Sequence, residues 1–473
     1  MNSVLALVTS LLIVAILVFV PPLAAPFEHL YGPVTVFYCA KALGVGAVAA
    51  AVAGILIRSN REHGSYLVKL FMFALLVRIA LASALFAMKG QDFFGGDAWT
   101  YDTNGMWQLL AWGGDPNAQA NVDNFVGTSF RSGWGMVSMV AAIYAVVGRN
   151  MLAIQFFNSV LGAATAAIIY LCAYDVFKNR RVAVVAGLAV AFYPSLVLWS
   201  SQGLKDGPIV FFLALGILAT LRLGQKASIR FIAVLVAGLF GVLAFRFYVF
   251  YMMLVAVGGA FIVGMRAVTL QSMARQFVVI IALGLAFTYL GVTRYASAQY
   301  EEFSDLQRLQ VSRQDLSTAQ SGFGKDVDVS TTGGALSAIP LGMVYLLFAP
   351  FPWQLGSLRQ SLTIPEMAIW WTSFPLLILG IWFSLKHRLR QMSPIFIFTT
   401  MLTLAYSVVQ GNVGTAYRQR AQLLVFYFIF VAVGAVLLKE KREDKRQKAA
   451  EALRAASVHL KPALVSRGRA QRI

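Results

Sequence analysis

Charged residues are scarce in this chain: Asp, Glu, Lys and Arg make up 12% of its 473 residues, against roughly 25% in an average soluble domain, and 59% are hydrophobic. That balance excludes a soluble globular protein. Cysteine is almost absent, and both copies, Cys39 and Cys172, fall inside apolar stretches. Neither a disulfide framework nor a thiolate metal site is supported. The four histidines, His29, His63, His387 and His459, are spread too widely to suggest a metal cluster. No Gly-rich phosphate loop ending in Lys-Ser or Lys-Thr occurs, and the basic loops are too short to hold ATP. Any driving force must then reside in the substrate or a gradient, or none is used. Acids are outnumbered by bases, 20 to 39, for a formal charge of +19. In a soluble chain that surplus would suggest nucleic acid. Here much of it lies in short loops and the last 35 residues, where Lys and Arg mark the cytoplasmic side of a membrane protein. No nucleic-acid partner is expected.

What the chain has in abundance is apolar runs of roughly 17 to 25 residues, the length that crosses ~30 Å of hydrocarbon as a helix. They recur from Met1 to about Leu438. The expected fold is all-α: a polytopic transmembrane bundle of about 12 spans with outer interfacial helices over residues 1–438, then an unstructured basic cytoplasmic tail at 439–473. The first run has no basic start and no small-residue cleavage site before Pro21 and Pro22, so a retained helix is expected rather than a signal peptide. One threading puts every basic cluster inside: Arg58 and Arg61, Lys178 to Arg181, Arg222 to Arg230, Arg266 and Arg275, Lys386 to Arg390, and the tail. Its spans fall near 4–20, 33–57, 66–88, 151–177, 181–199, 207–222, 229–245, 247–265, 277–294, 366–385, 394–410 and 421–438. Residues 133–147 and 336–351 go to the outer interface, because counting either alone as a crossing inverts every basic loop downstream. Two extra spans are the alternative. Two long polar loops, 89–131 and 295–365, then emerge outside, and loops of that length are uncommon without a function or disorder. The tail reads as a solvated end or as a segment drawn to anionic membrane lipid.

Candidate chemistry gathers on the outer side. Asp92, Asp97 and Asp102 stand at intervals of five, and Gly95 and Gly96 let the backbone turn before Asp97. Residues 99–112 suit a helix lying on the membrane surface. A carboxylate there can accept a proton from an acceptor hydroxyl, or simply belong to a solvated acidic loop. Lys205 and Asp206 open an apolar helix whose N-terminus favours anions, with Pro208 suited to the first turn. Asp206 can orient the lysine, ligate a divalent cation or cap the helix. Arg246 splits an apolar stretch at an outer turn among Phe245, Phe247 and Tyr248, where it can clamp a phosphate or snorkel. Arg418 and Arg420 stand on the side where arginine is disfavoured, and anion binding is an economical reason. Arg78 and Lys41 lie within spans, paired or snorkelling.

With these residues in view, the chain resembles the polytopic glycosyltransferases of the GT-C superfamily, in the branch of protein O-mannosyltransferases and aminoarabinose transferases. Asp97 and Tyr101 fit the acidic motif of the first outer loop, although Ala98 replaces the family's second acid, whose role moves to Asp102 or is lost. Pro194 and Asp206-Gly207-Pro208 match the proline near the end of one span and the Asp-x-Pro opening the next. Arg418 and Arg420, and Pro350 to Trp353 followed by Glu366, are similar to segments of bacterial exopolysaccharide proteins. The resemblance runs over roughly 90–440, and the order of its short motifs carries more than any one of them. It implies transfer of a sugar from a polyprenyl-phosphate-linked donor to a glycan, lipid or protein acceptor at the periplasmic face of a bacterial inner membrane. Asp97 and Asp102 would be catalytic, Lys205, Arg246, Arg418 and Arg420 would bind donor phosphate, and Tyr101, Asp206 and Trp353 would contact substrate. No cofactor is demanded, and Asp206 is the candidate ligand for a divalent cation. A repeat-unit polymerase, or a flippase of lipid-linked oligosaccharide, is the alternative.

Overall fold

The computed structural model describes residues 14–16, 18, 19, 28, 29, 32–88, 96–126, 133–263, 281, 283–289, 292 and 305–470, with side chains as far as 451. Most of the expected spans at 4–20 and 277–294, Arg266, Arg275, Asp92, and loop residues 89–95 and 295–304 lie outside the described residues. The protein is an all-α bundle. Its described strands are a two-residue antiparallel pair, Glu28–His29 with Gly32–Pro33.

The first helices are α1 (Val36–Arg58), α2 (Gly64–Ala87), α3 (Asp97–Trp112), α4 (Pro116–Val126) and α5 (Trp134–Val147). Next come α6 (Met151–Phe177), α7 (Arg180–Phe192), α8 (Pro194–Ser200), α9 (Asp206–Gln225), α10 (Ile229–Phe245) and α11 (Phe247–Val263). The last are α12 (Leu306–Thr318), α13 (Thr332–Phe348), α14 (Leu358–Val409), α15 (Val413–Gln419) and α16 (Ala421–Ala470). Six of the described helices are long and apolar enough to cross a membrane, or seven when α7 and α8, bent by 54°, count as one. Local chemistry sets their ends. Asn150 caps α6 by accepting from Ala153 N at 3.0 Å. Lys178 then turns the chain at φ 52°, and Asn179 caps α7 through Arg181 N at 2.9 Å. Two residues thus suffice to reverse direction.

Pro194 causes the bend between α7 and α8. It has no N–H to give to Val190, and the extended backbone at Tyr193 also strands the carbonyl of Ala191. Arg78 replaces both donors. Its guanidinium, 1% exposed, donates to Val190 O at 3.1 Å, Ala191 O at 2.7 Å and Ala74 O at 3.1 Å, and its Nε donates to Ser200 Oγ at 2.9 Å. An arginine inside an apolar span is tolerable because two of its bonds answer the carbonyls freed by the proline and the others end on Ala74 O and Ser200 Oγ.

Helix α14 is two helices joined at Arg388, whose φ of −136° and ψ of 18° are not helical. Glu366 on the first arm meets Tyr417, and Tyr406 on the second meets Gln422, so both arms return to one end of the bundle with the basic turn at the other. The basic clusters gather at that other end: Arg181 pairs with Glu443 at 2.7 Å, and Arg222 with Asp175 at 2.9 Å. Helix α5 has 14 residues, about 21 Å of helix, too short for the hydrocarbon core. It packs along α3, and both its termini meet residues of the end opposite the basic clusters: Gly133 faces Lys205, and Val147 O accepts from Lys41 Nζ at 3.0 Å. Helix α13 likewise meets Trp370, Ser407 and Arg420 near that end. The tail, expected to be unstructured, continues α16 as helix through Ala470.

Candidate active site

Five ionisable side chains from four separate segments converge at the end opposite the basic clusters. Asp206 is the first residue of α9, at the positive end of that helix, and only 1% of it is exposed. It does not cap its own helix. Its Oδ2 accepts from Arg418 Nε at 2.6 Å, and Arg246 Nη2 stands 3.9 Å from Oδ1, too far for a hydrogen bond. Oδ1 is buried with no hydrogen-bond partner. Asp97 opens α3 behind Gly96, with a side chain 55% exposed, and accepts from Arg418 Nη1. One guanidinium therefore joins a buried and an exposed carboxylate.

Each cation is held by its own local structure. Arg418 sits in the last turn of α15, whose cap Asn412 accepts from Thr415 N at 3.1 Å, and it lies 5.9 Å from the Trp199 ring. Burial alone would lower its pKa; Asp206 and Asp97 more than reverse that and hold it charged. Arg246 closes α10 in non-helical backbone, is buried, and donates to Tyr406 Oη at 3.1 Å. Lys205 Nζ lies 5.9 Å from the Tyr101 ring. Burial, followed by the repulsion of Arg246, brings the Lys205 ammonium down to about 8, with Asp206 and Asp97 opposing. Burial and then the charge of Asp97 push the Tyr101 phenol above its ordinary value, so it remains a neutral donor. Within this cluster three cations face two carboxylates, and the surplus positive charge is the complement of one anionic group.

The cluster borders a cavity of about 700 Å³ that is also lined by Trp199, Tyr417, Ser357, Gln360 and Asn412. That volume lies in the range of roughly 300–1,000 Å³ usual for small-molecule sites.

Of the residues expected from sequence, Asp97, Tyr101, Lys205, Arg246 and Arg418 line the cavity, and Asp206 stands behind it on Arg418. Three others do not reach it. Five helical residues turn the chain by about 140° beyond a full circle, which sends Asp102 to the far side of α3 from Asp97, whereas Tyr101, four residues on, shares its face. Asp102 is 3% exposed, pairs with Arg149 at 2.5 Å and accepts from Tyr144; it anchors α3 to the bundle. Arg420 points the other way from Arg418 and donates to Leu347 O and Ala349 O, both at 2.8 Å. It fastens α13 and Ala349 to the start of α16. Trp353 is 76% exposed and stacks on Phe351, 5.1 Å between ring centroids.

Sequence reasoning missed Trp199, Tyr417 and the polar wall. The signal for Trp199 and Tyr417 was their place next to or within segments already singled out. Buried Glu366 accepts from Tyr417 Oη at 2.7 Å and so fixes the residue that precedes Arg418. The residues fit a divalent cation poorly. Among the described residues no three His, Cys, Asp or Glu side chains gather, and Arg418 already stands between the two carboxylates.

A net-positive polar cavity at one end of an apolar helix bundle suits an anionic ligand. Residues 136–291 match the family described as dolichyl-phosphate-mannose-protein mannosyltransferase. The match supports a membrane glycosyltransferase of the GT-C type, and the matched segment carries Lys205, Asp206 and Arg246. No curated protein matches the chain.

Proposed function

We propose that the protein transfers a sugar from a polyprenyl-phosphate-linked donor to an acceptor at the non-cytoplasmic face of a bacterial inner membrane, in envelope or exopolysaccharide synthesis. The observation that carries this is Arg418 bridging Asp97 and Asp206, with Lys205 and Arg246 beside them at the cavity. The basic turns of the opposite end, which suit the cytoplasm, support this sidedness. On this reading the basic continuation of α16 attracts anionic inner-leaflet lipid.

In the transfer step the acceptor oxygen bonds to the anomeric carbon of the donor sugar and the bond from that carbon to the phosphate oxygen breaks. The hydroxyl proton passes to Asp97, and the electron pair leaves with the phosphate. Arg418, Lys205 and Arg246 stabilise the departing charge where burial makes such stabilisation strong. Asp206 does not touch the reacting atoms; it holds Arg418 from behind. Charges grouped at one end of the bundle favour this reading over a flippase, for which ionisable groups near the midplane are expected.

The test is transfer of labelled sugar from its polyprenyl-phosphate carrier in membranes containing the protein. Asp97→Asn is expected to lower the rate by ~10² to 10⁴ with the protein still folded. Full transfer by that variant would remove the assignment.

A further inference from the structure

We infer that the remainder of the cavity wall is the acceptor subsite and that it takes a glycan, held through its hydroxyl groups, rather than a polypeptide. This rests on the transfer reading above. Away from the charge cluster the wall carries Gln320 and Ser321 after α12, Ser357 and Gln360 at the start of α14, and Asn412 and Thr415 at α15. All six are uncharged amides or hydroxyls, the groups that donate to and accept from sugar hydroxyls. Arg359 is the ionised side chain that lines this part. Trp199 and Tyr417 add aromatic surface.

Where residues 321–323 meet 411–413, main chain and side chains of this wall are already bonded to each other. Phe323 N donates to Gly411 O at 2.7 Å, Val413 N to Ser321 O at 2.9 Å, and Ser321 Oγ to Asn412 Oδ1 at 3.0 Å. Buried Arg313 donates to Val408 O at 3.0 Å and also to Gln410 O. A polypeptide acceptor bound in extended form needs an open row of main-chain partners, and these segments satisfy one another instead. Gln320 and Thr415 present an amide and a hydroxyl to the cavity, whereas Ser321, Asn412 and Gln360 share theirs with this cross-linked frame.

The experiment adds labelled polyprenyl-phosphate sugar to membranes that contain the full-length protein and the native acceptor, then treats the product with proteinase K. Label is expected in material that resists the protease. Next, the solubilised membrane glycan fraction is titrated as acceptor against wild type and against Gln320→Ala and Thr415→Ala, alone and combined. Each change is expected to raise the acceptor KM about five- to tenfold with kcat and donor KM little changed, the mark of lost ground-state binding. Protease-released label, or a combined variant with wild-type acceptor KM, overturns the inference while leaving transfer itself intact. Failure of the wild-type protein to transfer any label overturns the transfer reading and this inference with it.

Discussion

Replacing Arg78 by methionine tests whether an arginine inside an apolar span is there to repair a broken helix. The change removes the donors to Val190 O and Ala191 O and the bond to Ser200 Oγ. Leaving a buried carbonyl unsatisfied costs about 1–3 kcal/mol, so two give roughly 2–6 kcal/mol. Relief from burying the guanidinium returns part of that, since the desolvation penalty of a buried ion is itself several kcal/mol. A net loss of about 2–4 kcal/mol is expected, measurable by reversible unfolding in mixed micelles. The sharper measurement is a double-mutant cycle. Pro194→Ala restores an N–H that can serve Val190, so Arg78→Met is expected to cost less in that background, with a coupling of about 1–2 kcal/mol. Additive effects would refute the repair argument. Because Ser200 leads directly into the turn bearing Lys205 and Asp206, Arg78→Met should also weaken donor binding, though the residue lies outside the cavity lining.

Three further outcomes follow from the site. Asp102→Asn, which leaves Arg149 without its carboxylate, is expected to lower stability by about 3 kcal/mol through loss of a buried partner, yet to retain transfer in whatever fraction stays folded; comparing kcat per folded molecule with Asp97→Asn separates the two acids. Lys205 is charged below its pKa of about 8 and loses that charge as pH rises through it, so donor affinity is expected to fall from pH 7 to 9. Bound phosphate favours the ammonium and moves the midpoint upward at saturating donor, and Lys205→Arg should flatten the profile; an unchanged slope in that variant would sink the assignment. Asp206→Asn removes the buried partner of Arg418, an expected cost of about 3–5 kcal/mol. Inorganic phosphate should stabilise that variant more than wild type, read as a larger rise in its thermal midpoint.

Much of this was legible without coordinates because membrane burial imposes simple rules. Apolar runs and basic turns predicted helices, and the structure returns Lys178 and Asn179 as a tight turn and Arg388 as the break between two helices. The acids and bases of the cavity were identifiable as ionisable groups at helix ends. What could not be read was direction around a helix or across a turn. Asp97 and Asp102 look alike on a line of sequence, and only helical phase turns one to the cavity and the other to Arg149. Arg418 and Arg420 differ by two residues, yet one bridges carboxylates and the other donates to the carbonyls around Leu347 and Ala349. Arg78 was recognisable as lying within a span, paired or snorkelling, but its partners were not, because a carbonyl freed by Pro194 leaves no mark in composition. The polar wall was invisible for a further reason: Gln320, Gln360 and Asn412 are remote in sequence and ordinary singly.

The mixture of signs in the cluster follows from holding a cation site ready inside a membrane protein. Two unit charges 4 Å apart interact with about 4 kcal/mol at an effective dielectric constant near 20. Lys205, Arg246 and Arg418 would repel one another if nothing intervened, and the lowered pKa of Lys205 records part of that repulsion. Asp206 and Asp97 offset it, but in different settings: one carboxylate is sealed in the protein and the other is half open to the cavity. Under the proposed transfer, an anionic headgroup competes with Asp97 for Arg418 without disturbing Asp206. On that reading the exposed acid is released from its ion pair when the phosphate binds, which is when a base for the acceptor hydroxyl is needed. Arg418 can couple donor binding to base availability in this way only because one carboxylate holds it permanently and the other does not.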